Sequence, residues 1–230
     1  MNRLSILLAV VLLLAFSVNV VAQDDEEYEE KDFLEIALFG GGTFPMGGIT
    51  DWTTKGPGEV VVLAGAKAGP NFGFDIGHFL TTNLVLGLNF TYSHLGIDSD
   101  NELITQRHHR FYNTSLYLKY YFFGESDFVP YVRANAGVDI MKFTTEVFDT
   151  NHESPWEYRE QSYDPAFGVG VGAGLFRYIH DYGGLYVEAN FHNSFTSGSN
   201  ATYEGLDYDF KENATSIGIQ AGVKVFFGSD

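Results

Sequence analysis

Between Ala66 and Ile76, every second residue is apolar or small: Ala66, Ala68, Pro70, Phe72, Phe74, Ile76. The intervening positions are Lys67, Gly69, Asn71, Gly73 and Asp75. After a short Leu80-Thr81-Thr82-Asn83 turn the alternation resumes. Leu84, Leu86, Leu88, Phe90 and Tyr92 then lie on one face, with Val85, Gly87, Asn89, Thr91 and Ser93 on the other. Period two on both arms of a tight turn predicts a β-hairpin. Arms of this length with one wholly apolar face match strands that cross a bilayer at a tilt.

The same pattern recurs along the chain. It predicts strands over 33–44, 111–123, 129–142, 166–175, 185–192 and 213–227 besides the two arms of the hairpin. The eight strands are joined alternately by long segments (45–63, 95–110, 147–163, 196–212) and short turns (80–83, 124–127, 180–184). Strict long–short alternation around an even number of strands predicts an all-β fold, an eight-stranded antiparallel up-and-down transmembrane β-barrel. Aromatic residues near the strand ends, among them Phe72, Phe74, Phe90, Tyr92, Tyr120, Phe122, Phe226 and Phe227, suit interfacial belts.

Charge and targeting sharpen the location. Arg3 precedes an almost wholly apolar run, Leu4 to Val21, that ends on Val-Ala before Gln23. This is the pattern of a secretory signal peptide, residues 1–22. Residues 23–32 follow as an acidic leader with seven acids and one lysine, and the barrel is expected over 33–230. The net charge of −17 argues against a nucleic-acid partner. The chain has no cysteine, so neither a disulfide framework nor a lipid anchor is expected. Both termini are expected in the periplasm, with the long segments outside an outer membrane.

Parity places eight charges on the polar face: the acids Glu35, Asp75, Asp139 and Glu188, and the bases Lys67, Lys119, Arg133 and Lys224. Their sum is zero, as a narrow interior requires, because a buried charge is tolerated only when paired. A one-residue slip would turn them toward lipid, so the same residues fix register. Phe39, Tyr117, Tyr121, Tyr131 and Tyr186 share that face. Gly168, Gly170, Gly172 and Gly174 leave one inward strand face bare, and are expected to make room for inward rings such as Tyr117, Tyr121 and Tyr131.

On these features the chain resembles the small eight-stranded outer-membrane β-barrels of the OmpA and OmpX type. The resemblance rests on the signal peptide, the hairpin NFGFDIGHFLTTNLVLGLNFTY, the connection pattern and the last strand GIQAGVKVFF, and covers nearly all of 33–227. It implies a monomer assembled by periplasmic chaperones and the barrel-assembly machinery, in contact with outer-membrane lipid and lipopolysaccharide. It implies no cofactor and a structural or surface-interaction role. Two departures stand out. Phe227 is followed by Gly228-Ser229-Asp230, and no peptidoglycan-binding domain is expected after the barrel.

Three chemical readings compete with that role. A small porin or ion channel would use the charged lumen, but eight strands enclose a space that side chains just fill. His192 and Ser194, with Glu204 beyond, are similar to the His-x-Ser pairs of lipid A deacylases. Parity turns His192 inward, away from lipid, so no enzyme is expected. A soluble lipocalin-like barrel would put the apolar face inside, which the charge inventory opposes. Neither His108-His109 nor His152-Glu153 has the spacing of a metal site. Arg107 and Arg110 form a basic rim suited to lipopolysaccharide phosphates.

Overall fold

The computed structural model describes residues 34–50, 65–97, 104–123, 126–148, 156–180, 182–196, 200–203, 206–209 and 213–228. The expected signal peptide and acidic leader lie outside the described residues. The strands are β1 (Leu34–Met46), β2 (Ala66–Lys67), β3 (Gly69–Phe79), β4 (Leu84–Ile97), β5 (Ile104–Tyr121) and β6 (Phe128–Phe148). They continue with β7 (Trp156–Tyr163), β8 (Ala166–His180), β9 (Gly183–Phe195), β10 (Asn200–Tyr203), β11 (Leu206–Asp209) and β12 (Ala214–Phe227).

Eight of these form the barrel. β3–β4, β4–β5, β5–β6, β6–β8, β8–β9 and β9–β12 pair antiparallel in sequence order. β1 bonds to both β3 and β12 and closes the cylinder. Closure gives every barrel strand two neighbours and removes the sheet edges. The tight Leu80–Asn83 turn lies at one end, here called the turn end; Met46, Ala166 and Ala214 lie at the loop end.

Three of the long connections carry more β-structure than the sequence pattern suggested. β4 and β5 continue the ladder into the segment read as 95–110, with His94 opposite Arg110 and Leu95 opposite His109. The far half of β6 pairs with β7, which pairs with β10, which pairs with β11. These strands extend the sheet beyond the barrel at the loop end. The physical reason is that backbone donors and acceptors continuing past the barrel find partners most directly by prolonging the ladder already begun.

The apolar face points outward. Leu38, Phe72, Leu88, Val171 and Ile219 are 58, 57, 54, 59 and 55% exposed. Such a continuous apolar surface is a liability in water and a requirement in hydrocarbon. Aromatic rings gather at both ends of it. At the loop end Tyr92 packs on Phe72 and Tyr112 with centroids 5.0 and 5.1 Å apart, and Phe167 stacks on Phe195 at 6.2 Å. At the turn end Tyr120 meets Phe122 at 5.1 Å, and Phe123, Phe128, Tyr182 and Phe227 are exposed. Phe226 corrects the sequence reading of the belt: alternation leaves Phe227 outside and buries Phe226 in the lumen at 1% exposure.

Candidate functional site

The lumen is built in layers, beginning with an aromatic plug at the turn end. Phe226 of β12 touches Phe79, Tyr121, Phe176 and Tyr178, with centroids 5.9, 6.5, 5.3 and 6.0 Å away. Tyr131 links Tyr121 to Tyr186 at 5.4 and 6.5 Å. Phe39, Tyr117, Tyr121, Tyr131 and Tyr186 are all buried, on the side that parity gave them. Tyr117 is accommodated by Gly77 and Gly87, where a β-carbon would overlap its ring, whereas Gly174 of β8 faces the ring of Tyr131. Room for Tyr117 therefore comes from glycines on β3 and β4 rather than from the bare strand.

Above and within the plug lies a connected charge network. Glu35 accepts hydrogen bonds from Lys119 and from the Tyr121 hydroxyl, and Lys224 donates in turn to that hydroxyl. The ammonium of Lys224 stands 3.8 Å from Glu35 and over the rings of Tyr121, Tyr131 and Tyr186 at 4.8, 4.5 and 4.8 Å. Lys119 also lies 3.6 Å from Asp75. Arg133 grips Asp75 with both terminal nitrogens, at 2.9 and 3.3 Å, and reaches Glu188 at 3.6 Å. Glu188 accepts from Tyr131 at 3.0 Å and from Gln220 at 3.1 Å; Asp75 accepts from Asn89 at 2.7 Å.

These six charges are three acids and three bases, so the network is neutral in itself. In a dry interior each ion needs such partners to offset lost hydration, and the ring faces under the lysines supply further negative potential. Glu35, Asp75, Lys119, Arg133, Asp139, Glu188 and Lys224 are all buried. Lys67 is not: it is exposed, and Ala66 is buried in its place. The ladder breaks at Ala68, and β2 pairs with β4 alone, so the parity of β3 does not carry back through the break. Lys67 therefore stands outside the lumen network.

Asp139 forms a second, separate cluster near the loop end. Its carboxylate accepts from Asn113 at 2.6 Å and from Ser194, and lies 2.8 Å from His192 Nε2. Asp139 belongs to β6, Asn113 to the adjacent β5, and His192 and Ser194 to β9, so the contact with the last two crosses the whole width of β8. Gly168 makes the crossing possible, because a β-carbon there would overlap the Asp139 carboxylate and crowd His192. Gly168→Ala is accordingly expected to destabilise the barrel by about 1–3 kcal/mol through overpacking and a disrupted buried carboxylate. The check is a lower urea midpoint for the heat-sensitive gel shift, against a midpoint no lower than that of the unmutated protein for Ala173→Val on the outward face of the same strand.

The Asp139 cluster gives the His192-Ser194 pair an acid, but not the arrangement of a nucleophilic relay. A relay sets the serine on one ring nitrogen and the acid on the other. Here Asp139 and Ser194 approach the same nitrogen, Nε2, at 2.8 and 3.4 Å, and the serine proton is directed at the carboxylate. Ser194 is fully buried. Glu204, the acid considered from sequence, lies outside the described residues.

From Arg133 and Glu188 a polar chamber of about 70 Å³ runs past His192 toward the loop end, lined by Asn71, Asn89, Asn113, Asn135, Asn190 and Gln220 among others. Thr43 and Ser93 share a hydrogen bond of 3.0 Å at its wall, and Asn71 donates to Thr43 at 2.9 Å. The other amide atom of Asn71, its Oδ1, is buried with no protein partner. A polar void of this size has room for ordered water. Its floor is Arg133 with Glu188, so the chamber stops at the charge network.

Of the two rim arginines, Arg110 lies half-buried on the outward face of β5, opposite Lys142 of β6 and His94 of β4. The side chain of Arg107 lies outside the described residues. His109 turns inward and is buried, while His108 shares the outward face with Arg110, so the adjacent histidines diverge as a strand requires. Among the described residues no group of three or more His, Cys, Asp or Glu could hold a metal ion.

No protein-family model and no curated protein matches the chain. Solved structures do. The chain is similar to the outer membrane protein OprG of Pseudomonas aeruginosa, at 13% identity over 89% of this chain and 100% of that one, with a TM-score of 0.53. It is also similar to the outer membrane protein AlkL in lipid bilayers, at 12% identity over 90% of this chain and 95% of that one, with a TM-score of 0.51. Closed antiparallel pairing, an apolar exterior and these likenesses agree: the chain has the fold of the small eight-stranded outer-membrane β-barrels.

Proposed function

We propose that this protein is exported through its N-terminal segment and assembled as a monomer in an outer membrane. In this reading both termini face the periplasm, and the protein acts through the surface at its loop end rather than through its lumen. The observation that carries the proposal is the six-charge network seated on the aromatic plug, from Glu35 to Arg133 and Lys224. It leaves a short polar chamber at the loop end and no use for the interior beyond holding the strands in register. Surface chemistry then falls to the outer rim and to the β-structure that rises beyond it, with lipopolysaccharide at the rim as the immediate neighbour. Folding would rely on periplasmic chaperones and the barrel-assembly machinery. The test is fractionation: the protein should co-purify with outer membrane and run faster on denaturing gels before boiling than after. Recovery as a detergent-free periplasmic monomer would reject the reading.

The geometry at His192 supports a non-enzymatic role. Ser194→Ala and His192→Ala are expected to leave acyl release from lipid A and phospholipid at the level of the unmutated protein, as measured by thin-layer chromatography of labelled membranes. Activity that is present and disappears with Ser194 would restore the hydrolase reading.

A further inference from the structure

On the outward face at the loop end, a basic row lies directly over an aromatic one. His94 of β4 stands opposite Arg110 of β5, and Arg110 opposite Lys142 of β6. One step toward the middle of the barrel, Tyr92, Tyr112 and Ile140 occupy the corresponding register. Buried Ser93, Leu95, His109 and Met141 alternate with these residues, so both rows look away from the lumen. His108, two residues beyond Arg110, stacks on His94 with ring centroids 4.7 Å apart. The Tyr92 hydroxyl is 3.3 Å from His94 Nδ1. Together they border an open groove of about 450 Å³, with Phe72, Phe90, Tyr92 and Tyr112 as its apolar part and His94, His108 and Arg110 as its polar wall.

His108 Nε2 is buried in this wall and has no hydrogen-bond partner. An unpaired buried ring nitrogen is a cost to the fold, which a headgroup in the groove relieves if the ring turns toward it. A protein of net charge −17 has gathered two histidines, an arginine and a lysine on one outward patch. Aromatic rings at such a height mark the bilayer interface, where the headgroup phosphates of the adjoining leaflet lie. The combination of guanidinium, imidazole and ring faces suits an anionic headgroup whose apolar body continues down the wall of the barrel.

We propose that the groove bounded by His94, His108 and Arg110 is a binding site for the phosphate monoester of a glycolipid headgroup, with the acyl region lying against Phe72, Phe90 and Tyr112. The proposal rests on the reading that the loop end faces the outer leaflet, and it extends that reading from general lipid contact to one defined site.

Native mass spectrometry of the full chain in neutral detergent tests it, with bis-phosphorylated lipid A, phosphate-stripped lipid A, phosphatidylglycerol and inorganic phosphate as probes. Bis-phosphorylated lipid A should bind the unmutated barrel at least tenfold more tightly than the other lipids. Arg110→Gln with His108→Gln should remove that preference while the heat-sensitive gel shift stays intact. Equal binding by the double variant, or of stripped lipid A, would overturn the proposal. So would equal binding of phosphatidylglycerol, which would make the patch an unselective anionic surface. Displacement of lipid A by millimolar inorganic phosphate would assign the groove to free phosphate instead. Orientation is tested separately: Thr202→Cys, the sole cysteine in that variant, should react with a membrane-impermeant maleimide on intact cells. Labelling only after permeabilisation would reject the orientation, whereas the lipid preference in detergent does not depend on it.

Discussion

Replacing Glu35 with alanine should cost the barrel about 3–5 kcal/mol, the penalty for stranding buried charge by removing its partner. Glu35 is wholly buried and joins three strands through its carboxylate. One oxygen holds Lys119, and the other takes the Tyr121 hydroxyl that Lys224 also contacts. After the substitution Lys119 still has Asp75 at 3.6 Å. Lys224 keeps the Tyr121 hydroxyl and its ring contacts but loses its carboxylate, because Glu35 is its salt-bridge partner among the described residues. The loss should therefore fall mainly on Lys224, and Glu35→Ala combined with Lys224→Met should recover much of it. Refolding into vesicles across a urea series, scored by gel mobility, measures both. A Glu35→Ala midpoint equal to that of the unmutated protein would mean that the network contributes nothing to the fold. A double variant no better than the single one would move the penalty from the stranded lysine to the lost packing.

Val171→Arg is expected to cost about 2–4 kcal/mol, the figure for a base placed on the lipid face near the bilayer midplane. Val171 lies near the middle of β8, opposite Ala134 on one side and Phe191 on the other, and is 59% exposed. In water an exposed valine tolerates arginine with little change; in hydrocarbon the guanidinium must be dragged toward an interface. The substitution therefore separates a lipid-facing exterior from a water-facing one, which burial alone does not. Val171→Leu serves as the control and should leave the urea midpoint unchanged. A stable Val171→Arg barrel would contradict the membrane reading of the outward face.

Most of the barrel was legible because period two is a local property. Glu35, Asp75, Lys119, Arg133, Asp139, Glu188 and Lys224 needed only an unbroken strand for parity to assign their face. Lys67 failed for the complementary reason, since one unpaired residue at Ala68 resets the alternation and nothing in the local sequence announces it. Phe226 and Phe227 show what an unbroken strand does decide: two adjacent rings cannot both join a belt, and the alternation that turns Lys224 inward turns Phe226 inward too, opposite Glu35.

Contacts across the lumen were harder to read than faces. Parity puts Tyr121 inside, but its hydroxyl meets Glu35 and Lys224 only because β5, β1 and β12 present those residues at one level of the cylinder. The bare face of β8 did carry a signal. An inward glycine invites a long reach from the next strand, and Gly168 is where Asp139 crosses to His192 and Ser194. The strands beyond the barrel were read as loops because their polar sequences, such as Trp156 to Tyr163, lack the apolar face by which a half-buried strand is recognised.

The lumen is closed by its own charges and rings. The chamber near the loop end ends on Arg133 and Glu188, and below it stand Tyr131, Tyr186 and Phe226. An open water column would have to part Arg133 from Asp75 and Lys119 from Glu35, pairs that attract strongly where the dielectric is low. Planar-bilayer recording of the refolded, unmutated protein is the most direct test. A quiet baseline is expected, with Arg133→Ala either leaky or poorly folded. Stable, large conductance steps from the unmutated barrel would contradict it and make the protein a porin.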